Sequence, residues 1–257
     1  MKQIIFTLPV IFIFMTTALF AQNPEETEVW EPEPAVVEPG MISISPPSDA
    51  QFLFDGSSLE NWQSRDGSDA EWILEDGAMT VRAGSGDIKT RQSFHDFQLH
   101  LEWRAPSEIR GEGQGRGNSG VFLQERYEVQ VLDNWENRTY SNGMAGSIYK
   151  QHIPLANPAK RPGEWQSYDI FFKAPRFDDS GDLISPAHVT VILNGVLIQN
   201  NVELFGPTQY IGAPEYEAHG PAGIQLQDHG NPVSFRNIWI RELDEEIIFS
   251  DGIHGNH

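Results

Sequence analysis

Short runs of alternating apolar and polar residues fill the chain from about residue 50 to residue 243. In FQLHLEW (residues 97–103) every second side chain is apolar. Successive side chains of a strand point to opposite faces, so this run predicts a strand with one face on a core. Helical periodicity is nearly absent from the same region. The pattern therefore predicts an all-β fold.

A hairpin is predicted in HVTVILNGVLIQN, where Asn194-Gly195 lies between two β-branched runs. Both turn residues tolerate positive φ, which makes this pair the strongest short-range hairpin signal. The segments SYDIFFKA, AGIQLQDHG and VSFRNIWIREL supply further strands. About ten short strands separated by turn residues are typical of a sandwich or jelly roll. No internal repeat is present, which disfavours a propeller or a solenoid.

The first 21 residues differ from the rest of the chain. They carry an early lysine, an apolar run and small residues at the end, as a secretory signal peptide does. A membrane anchor is the alternative, but the run is short and contains Pro9. We expect an exported protein, periplasmic or secreted, with no membrane span after signal removal.

Three further segments are predicted. Residues 22–49 are rich in proline and glutamate and lack periodicity, which indicates a disordered tether. Residues 50–243 form the predicted β-sandwich, and residues 244–257 form an acidic tail.

Composition narrows the possible partners. The formal net charge of −20 repels phosphate groups, so nucleic acid is not expected as a partner. The chain has no cysteine, so its stability has to come from its own core rather than from disulfides.

The segment YEVQVLDNW carries the first candidate chemistry. Glu128 and Gln130 are two positions apart and therefore share a strand face. Asp133 falls on the opposite face unless a β-bulge or the end of the strand brings it back. Trp135 follows, and an indole face packs well against a sugar ring. An exposed polar face on an outer strand is the alternative interpretation.

Further candidates lie at strand ends and on a second strand. His229 follows a strand, and the carboxylate of Asp228 is placed to tune it for proton transfer. Arg236 could reach an oxygen-rich ligand or pair with a carboxylate. Glu102 and Arg104 share one parity of their strand, either facing a ligand or forming an internal ion pair.

Cofactor signals are weak. The glycine-rich GEGQGRGNSG (residues 111–120) lacks the Lys-Ser/Thr of a phosphate loop, and we interpret it as a flexible loop. The histidines show no H-x-H or H-E-x-x-H spacing. No cofactor is required by the sequence, although a divalent metal such as calcium would suit the Asp-rich loop at residues 178–182.

Seven motifs occur in the order found in the 3-keto-disaccharide hydrolase family, which the chain resembles from about Gln51 to Leu243. They are FLFDGSSLENW, FHDFQLHLEWR, GNSGVFLQERYEVQVLD, GSIYK, PGEWQSYDIFFKA, VTVILNGVLIQ and GIQLQDHGNPVSFRNIWI. The resemblance implies a concanavalin A-like jelly roll of two antiparallel sheets. It also implies an exported 3-keto-glucoside 1,2-lyase and 3-keto-2-hydroxyglucal hydratase, whose 3-keto-sugar substrate comes from a separate oxidoreductase.

A ketone at C3 acidifies the C2 hydrogen and lies β to the C1 leaving group. Elimination then needs a general base, a group that stabilises the C3 enolate and an acid for the departing oxygen. The resemblance implies proton transfer by His229 with Asp133 or Glu128, and enolate stabilisation by Arg236 and Lys89. Lys89 precedes Thr90, whereas the family usually has threonine before lysine. The expected substrate-binding residues are Lys89, Glu102, Arg104, Asn118, Gln130, Trp135, Gln227 and Arg236.

Two other functions are consistent with the pattern. EVQVLD looks similar to the E-x-D-x-x-E strand of laminarinase-type glycoside hydrolases, but Gln130 replaces the central acid and Asp133 the last glutamate. A conventional retaining enzyme needs two carboxylates. A non-catalytic carbohydrate-binding module would need only sugar-facing aromatic side chains.

Overall fold

A computed structural model describes residues 45–243. The predicted signal peptide, most of the predicted tether and the acidic tail lie outside these residues. Within them the chain forms fifteen strands, two short 3-10 turns and no α-helix, which confirms the all-β prediction. No helix in this part is long and apolar enough to cross a membrane. The strands are β1 (Gln51–Phe54), β2 (Trp62–Ser64), β3 (Ile73–Glu75), β4 (Ala78–Thr80), β5 (Ile88–Thr90), β6 (Phe97–Arg104), β7 (Ser119–Leu123), β8 (Tyr127–Val131), β9 (Gln166–Lys173), β10 (Arg176–Phe177), β11 (Leu183–Ser185), β12 (His188–Leu193), β13 (Val196–Glu203), β14 (Gln225–Leu226) and β15 (Ser234–Glu242).

The strands form two large antiparallel sheets. The eight-stranded sheet has the order β13-β12-β9-β6-β15-β4-β3, and β1 pairs with the second half of β15. The five-stranded sheet has the order β2-β5-β14-β7-β8. Strands β10 and β11 form a separate two-stranded ladder. This arrangement confirms the jelly-roll sandwich.

The core lies between the two large sheets. Along β6 the apolar residues Phe97, Leu99, Leu101 and Trp103 are all buried, as the alternation predicts. The ring centres of Tyr127 in the five-stranded sheet and Phe172 in the eight-stranded sheet lie 5.6 Å apart. The apolar faces of the two sheets therefore meet, and each sheet keeps one outward face.

The predicted hairpin is also confirmed. Strands β12 and β13 pair with Leu193 directly opposite Val196, so Asn194 and Gly195 form the turn. Both have positive φ, at 52° and 79°. Glycine adopts such angles without strain and asparagine tolerates them, which explains this dipeptide at the turn.

The outward face of the five-stranded sheet is mostly polar. One row of directly paired residues crosses all five strands, and side chains of paired residues share a face. This row is Gln63, Lys89, Gln225, Phe122 and Glu128. In the neighbouring row of the same strands, Val121, Val129 and Leu226 are fully buried in the core.

Candidate active site

A cavity of about 800 Å³ opens where the end of the polar row meets the loops that follow β8 and β13. Small-molecule sites usually measure about 300 to 1,000 Å³, so one or two sugar rings would fit. Five of its lining residues were predicted from the sequence. The lining consists of Gln114, Gly115, Asn118, Phe122, Glu128, Gln130, Tyr140, Tyr149, Thr208, Tyr210, Gln227 and His229.

Glu128 is the carboxyl group of this cavity. It lies in the regular part of β8 opposite Phe122, and its backbone N–H donates to Thr208 Oγ1 at 2.9 Å. The side chain is only 5% exposed. Burial, and to a smaller extent the charge of Asp87, raises the pKa of Glu128 to about 8. At neutral pH the carboxyl group therefore holds a proton that it can deliver to a substrate.

Amide side chains surround this carboxyl group. The amide of Gln130 bridges two neighbours, with one terminal atom 2.9 Å from Gln114 Oε1 and the other 3.0 Å from Glu128 Oε1. Asn118 Nδ2 donates to the Gln114 carbonyl at 2.7 Å. Gln227 Oε1 is buried and has no hydrogen-bond partner in the described part of the chain. These groups can accept and donate hydrogen bonds to the hydroxyls of a sugar.

Three tyrosines form the other wall. The hydroxyls of Tyr140 and Tyr149 lie 2.6 Å apart, and Lys150 Nζ lies 4.4 Å from the Tyr140 ring centre. Tyr210 stands at the mouth of the cavity and is 73% exposed. Burial, with the hydrogen bond to Tyr140, raises the pKa of Tyr149, so its phenol keeps its proton and can donate to a developing negative charge. An acid, amides and aromatic rings in one cavity suit a carbohydrate.

Comparison with known proteins identifies the family. The family of the 3-keto-alpha-glucoside-1,2-lyase-like domain matches residues 49–241. The chain belongs to this family. A 3-keto-disaccharide hydrolase of Bacteroides thetaiotaomicron is 25% identical over 252 residues, which cover 79% of this chain and 83% of that protein.

Solved structures extend the similarity of this member of the 3-keto-alpha-glucoside-1,2-lyase-like family. One crystal structure is of a Parabacteroides distasonis protein provisionally described as a glycosyl hydrolase. It is 51% identical with a TM-score of 0.83, and the match covers 89% of this chain and all of that one. A second such protein of the same species is 23% identical with a TM-score of 0.56, covering 76% of this chain and 94% of that one, and it supports the fold alone.

In this family member, the loop after β14 places His229 at the cavity. The side chain is exposed and lines the wall. Asp228, its predicted partner, instead accepts the backbone N–H groups of Gly84, Gly86 and Gly230 at 2.7, 3.0 and 2.9 Å. Asp228 thus fixes the loop, and the sequence-based pairing of the two side chains is not what the structure shows.

Asp133 lies outside the cavity. The β7-β8 ladder is regular from Leu123↔Tyr127 to Ser119↔Val131, and no bulge turns Asp133 towards Glu128. The carboxylate of Asp133 accepts a hydrogen bond from Arg116 Nε at 2.7 Å. Asp133 lines a second, smaller cavity. This placement argues against the predicted proton-transfer role.

Two other predicted residues also lie apart from the cavity lining. Trp135 donates its backbone N–H to Asp133 Oδ1, and its ring centre lies 5.2 Å from the guanidinium of Arg161. Lys89 shares the outward sheet face with Glu128, but its ammonium group is paired with Glu125 at 2.9 Å. Two strands, β14 and β7, separate Lys89 from Glu128, so enolate stabilisation by Lys89 is not supported.

Glu102, Arg104 and Arg236 belong to the other sheet. They lie on its outward face, because the alternate residues of β6 point into the core. Arg236 Nε donates to Glu102 Oε2 at 2.7 Å, and the guanidinium groups of Arg236 and Arg104 lie 4.1 and 4.6 Å from the ring centre of Trp165. The internal ion pair, rather than ligand binding, is what the geometry supports.

The glycine-rich segment forms part of the site. Its 3-10 turn at Gly113–Gly115 presents Gln114 to the cavity. The Asn137 side chain stabilises this turn with two hydrogen bonds. It accepts one from the Gly113 N–H at 2.8 Å and donates one to the Gly113 carbonyl at 3.0 Å. The segment is therefore stabilised by hydrogen bonds at its turn and is not simply a flexible loop.

Residues 45–243 contain no group of three or more histidine, aspartate or glutamate side chains that could hold a metal ion. In the Asp-rich loop, Asp178 Oδ1 accepts the backbone N–H groups of Ser180 and Asp182 at 2.8 and 2.9 Å. That loop is a closed turn stabilised by its own side chain.

Sequence reasoning missed Gln114, Thr208 and the three tyrosines. All of them lie in loops, where no periodicity marks the direction of a side chain. The one available signal is the crowding of Tyr140, Tyr149 and Lys150 within eleven residues.

Proposed function

We propose that this protein hydrolyses glycosides that carry a ketone at C3, by removal of the C2 proton, elimination of the C1 substituent and hydration of the resulting 3-keto-2-hydroxyglucal. Family membership supports the substrate class, as does the similarity to a 3-keto-disaccharide hydrolase. The observation that carries the proposal is the buried carboxyl group of Glu128, which lines a cavity of sugar size together with tyrosines and amides. Burial raises its pKa to about 8, which suits a proton donor.

The elimination needs two proton transfers. His229 takes the C2 proton, and the electron pair moves onto the C3 oxygen as an enolate. The Tyr149 hydroxyl donates a hydrogen bond to this oxygen as its charge develops. The enolate then collapses, the C1–O bond breaks, and the departing oxygen takes the proton of Glu128. The enzyme is left with a protonated His229 and an ionised Glu128.

Hydration restores both residues. The carboxylate of Glu128 takes a proton from water while the water oxygen bonds to C1, which is conjugated with the ketone. The enolate formed in this way receives its C2 proton from His229. The sum of the two halves is the addition of one water molecule across the glycosidic bond, and the catalyst is unchanged.

The amides position the sugar for these transfers. Gln130 lies on β8, Gln227 directly follows β14, and Asn118 immediately precedes β7. The buried Oε1 of Gln227 has no hydrogen-bond partner within residues 45–243 and would accept a hydrogen bond from a sugar hydroxyl. Donors and acceptors on strands, or directly beside them, are positioned more precisely than residues in the middle of loops.

A conventional glycoside hydrolase is less well supported. Retaining enzymes place two carboxylates about 5 to 5.5 Å apart across the scissile bond. Among the described residues that line the cavity, Glu128 is the single carboxylate. Proton abstraction by an imidazole removes the need for a second one.

The ketone has to be made elsewhere. Oxidation of a sugar hydroxyl requires an electron acceptor, and we propose that a separate oxidoreductase provides the 3-keto substrate. Export to the periplasm or the medium is predicted from residues 1–21 and stays a prediction.

The decisive experiment compares a glucoside with its 3-keto derivative in D₂O, with and without a chelator. We expect turnover of the keto substrate alone, transient ultraviolet absorption from the conjugated enone, and deuterium at C2 of the product. Cleavage of the unoxidised glucoside without deuterium at C2 would indicate a conventional hydrolase. Saturable binding of the keto sugar without turnover would indicate a binding module.

A further inference from the structure

A second cavity of about 270 Å³ lies beside the first. The same short segments of chain contribute residues to the lining of both cavities. Gln114, Gly115 and Asn118 line the first cavity, whereas Arg116 and Gly117 line the second. Residues of the loop after β14 also line both cavities. The second volume is close to the lower end of the range of about 300 to 1,000 Å³ for ligand sites.

Two buried and oppositely charged residues line this cavity. Arg116 is 8% exposed and Asp133 is 2% exposed. Arg116 Nε donates to Asp133 Oδ2 at 2.7 Å, and its Nη2 donates to the Trp135 carbonyl at 2.9 Å. Nη1 has no hydrogen-bond partner among residues 45–243. Each carboxylate oxygen can accept more than one hydrogen bond, so Asp133 keeps free acceptor capacity.

The rest of the lining is partly apolar and partly polar. Pro106, Ile109 and Pro232 are apolar, and Ile109 is 55% exposed. Glu108 and Arg110 also line the cavity and form an ion pair at 2.9 Å with each other, and Asn231 adds an amide. Donors and acceptors held side by side next to apolar surface match a sugar ring, which presents vicinal hydroxyls and C–H faces. An anion matches less well, because each arginine of the lining is paired with a carboxylate and the whole chain carries a net charge of −20.

We propose that the second cavity binds one neutral sugar ring, with Arg116 donating to one hydroxyl and Asp133 accepting from its neighbour. This site needs no ketone and no acid or base chemistry. It therefore does not rest on the proposed reaction, and it gives Asp133 and Arg116 a function apart from proton transfer.

Ile109 offers a direct reporter. In protein labelled with ¹³C at the isoleucine methyl groups, methyl α-D-glucoside is titrated while the Ile109 signal is followed by NMR. We expect a saturable shift at Ile109 and none at Ile184, which is also exposed, at 67%, but lies on β11. An unmoved Ile109 signal would overturn the proposal. Glucuronate is titrated in parallel, and tighter binding of this anion would assign the cavity to anions instead.

Variants locate the site. Arg116→Gln should abolish the Ile109 shift, whereas Tyr149→Phe in the first cavity should leave it intact. A shift that persists in folded Arg116→Gln protein would contradict the assignment.

Should Arg116→Gln not fold, Pro232→Glu replaces an exposed wall residue by a charge and should weaken binding at least tenfold. Pro221→Glu, at another exposed proline outside both cavities, is the matched control. Equal binding by both proline variants would also overturn the proposal.

Discussion

The outward faces of the two sheets each bury one glutamate, and the two glutamates have different surroundings. Glu102 on the eight-stranded sheet is 4% exposed, and Glu128 on the five-stranded sheet is 5% exposed. Glu102 accepts hydrogen bonds from Arg236 at 2.7 Å and from Asn237 at 3.0 Å. No cation within residues 45–243 forms an ion pair with Glu128, which faces an open cavity.

We propose that this difference separates a structural carboxylate from a reactive one. A buried charge is tolerated when a counter-charge and hydrogen bonds compensate it. Glu128 has no ion-pair partner among residues 45–243, so burial disfavours its charged form and raises its pKa to about 8. A carboxyl group that titrates near neutral pH inside a cavity is suited to proton transfer.

The largest expected effect is on catalysis. Glu128→Gln keeps the size of the side chain but removes the proton donor, so we expect kcat for the 3-keto-glucoside to fall by about 10² to 10⁴. Steady-state release of the aglycone measures this loss. The substrate should still bind, because glutamine preserves the hydrogen-bonding capacity of the site.

Glu102→Gln is the matched control for that experiment. It makes the same chemical change on the other sheet, and the folded variant should keep the wild-type kcat. Equal losses in the two variants would show that the compensated glutamate is also needed for turnover, and the distinction between the two faces would be lost.

Alternation along a strand was enough to predict the sandwich and the shared face of Glu128 and Gln130. Period-two patterning is local, and the Asn194-Gly195 turn is equally local. Alternation also placed Glu102 and Arg104 on one face, but it does not reveal which outward face carries a cavity.

The rest of the site depends on contacts between distant segments. The role predicted for Asp133 is not supported because its partner, Arg116, lies in the segment between β6 and β7. No pattern in YEVQVLD predicts that ion pair. The tyrosines at positions 140, 149 and 210 converge from two loops. Their convergence is a property of the tertiary fold, whereas sequence patterning reports only local geometry.

The next largest effect concerns stability on the compensated face. Arg236→Met keeps an apolar stem over Trp165 but leaves Glu102 without its cation. Breaking a buried pair costs about 3 to 5 kcal/mol. Because the Arg236 side chain is 39% exposed, we expect a smaller loss of about 2 to 3 kcal/mol in the free energy of unfolding at pH 7, measured with urea.

Two further variants sharpen this measurement. The double variant Arg236→Met/Glu102→Gln should recover part of the loss, since it removes the uncompensated charge. Arg110→Met breaks an exposed pair with Glu108 and should cost less than about 1 kcal/mol. A cost for Arg236→Met no greater than that for Arg110→Met would mean that Glu102 does not depend on its cation.

The smallest effect is the pH dependence of stability that Glu128 imposes. Below pH 4.5, the ordinary glutamate pKa, its carboxyl group is protonated in both the folded and the unfolded state. Between that value and about pH 8 the unfolded chain loses the proton while the folded protein keeps it, so wild-type stability falls as pH rises. Glu128→Gln cannot ionise and escapes this loss.

We therefore measure the free energy of unfolding with urea from pH 4 to pH 9. Relative to the wild type, the free energy of unfolding of Glu128→Gln should rise by about 1 to 2 kcal/mol over this range. This is less than the full shift would give, because water in the cavity partly solvates the charged form. Glu75→Gln, on an exposed position of β3, should follow the wild-type curve at every pH. Parallel curves for wild type and Glu128→Gln would mean that Glu128 titrates as an ordinary glutamate. It would then be ionised at neutral pH and could not serve as the acid that protonates the departing oxygen.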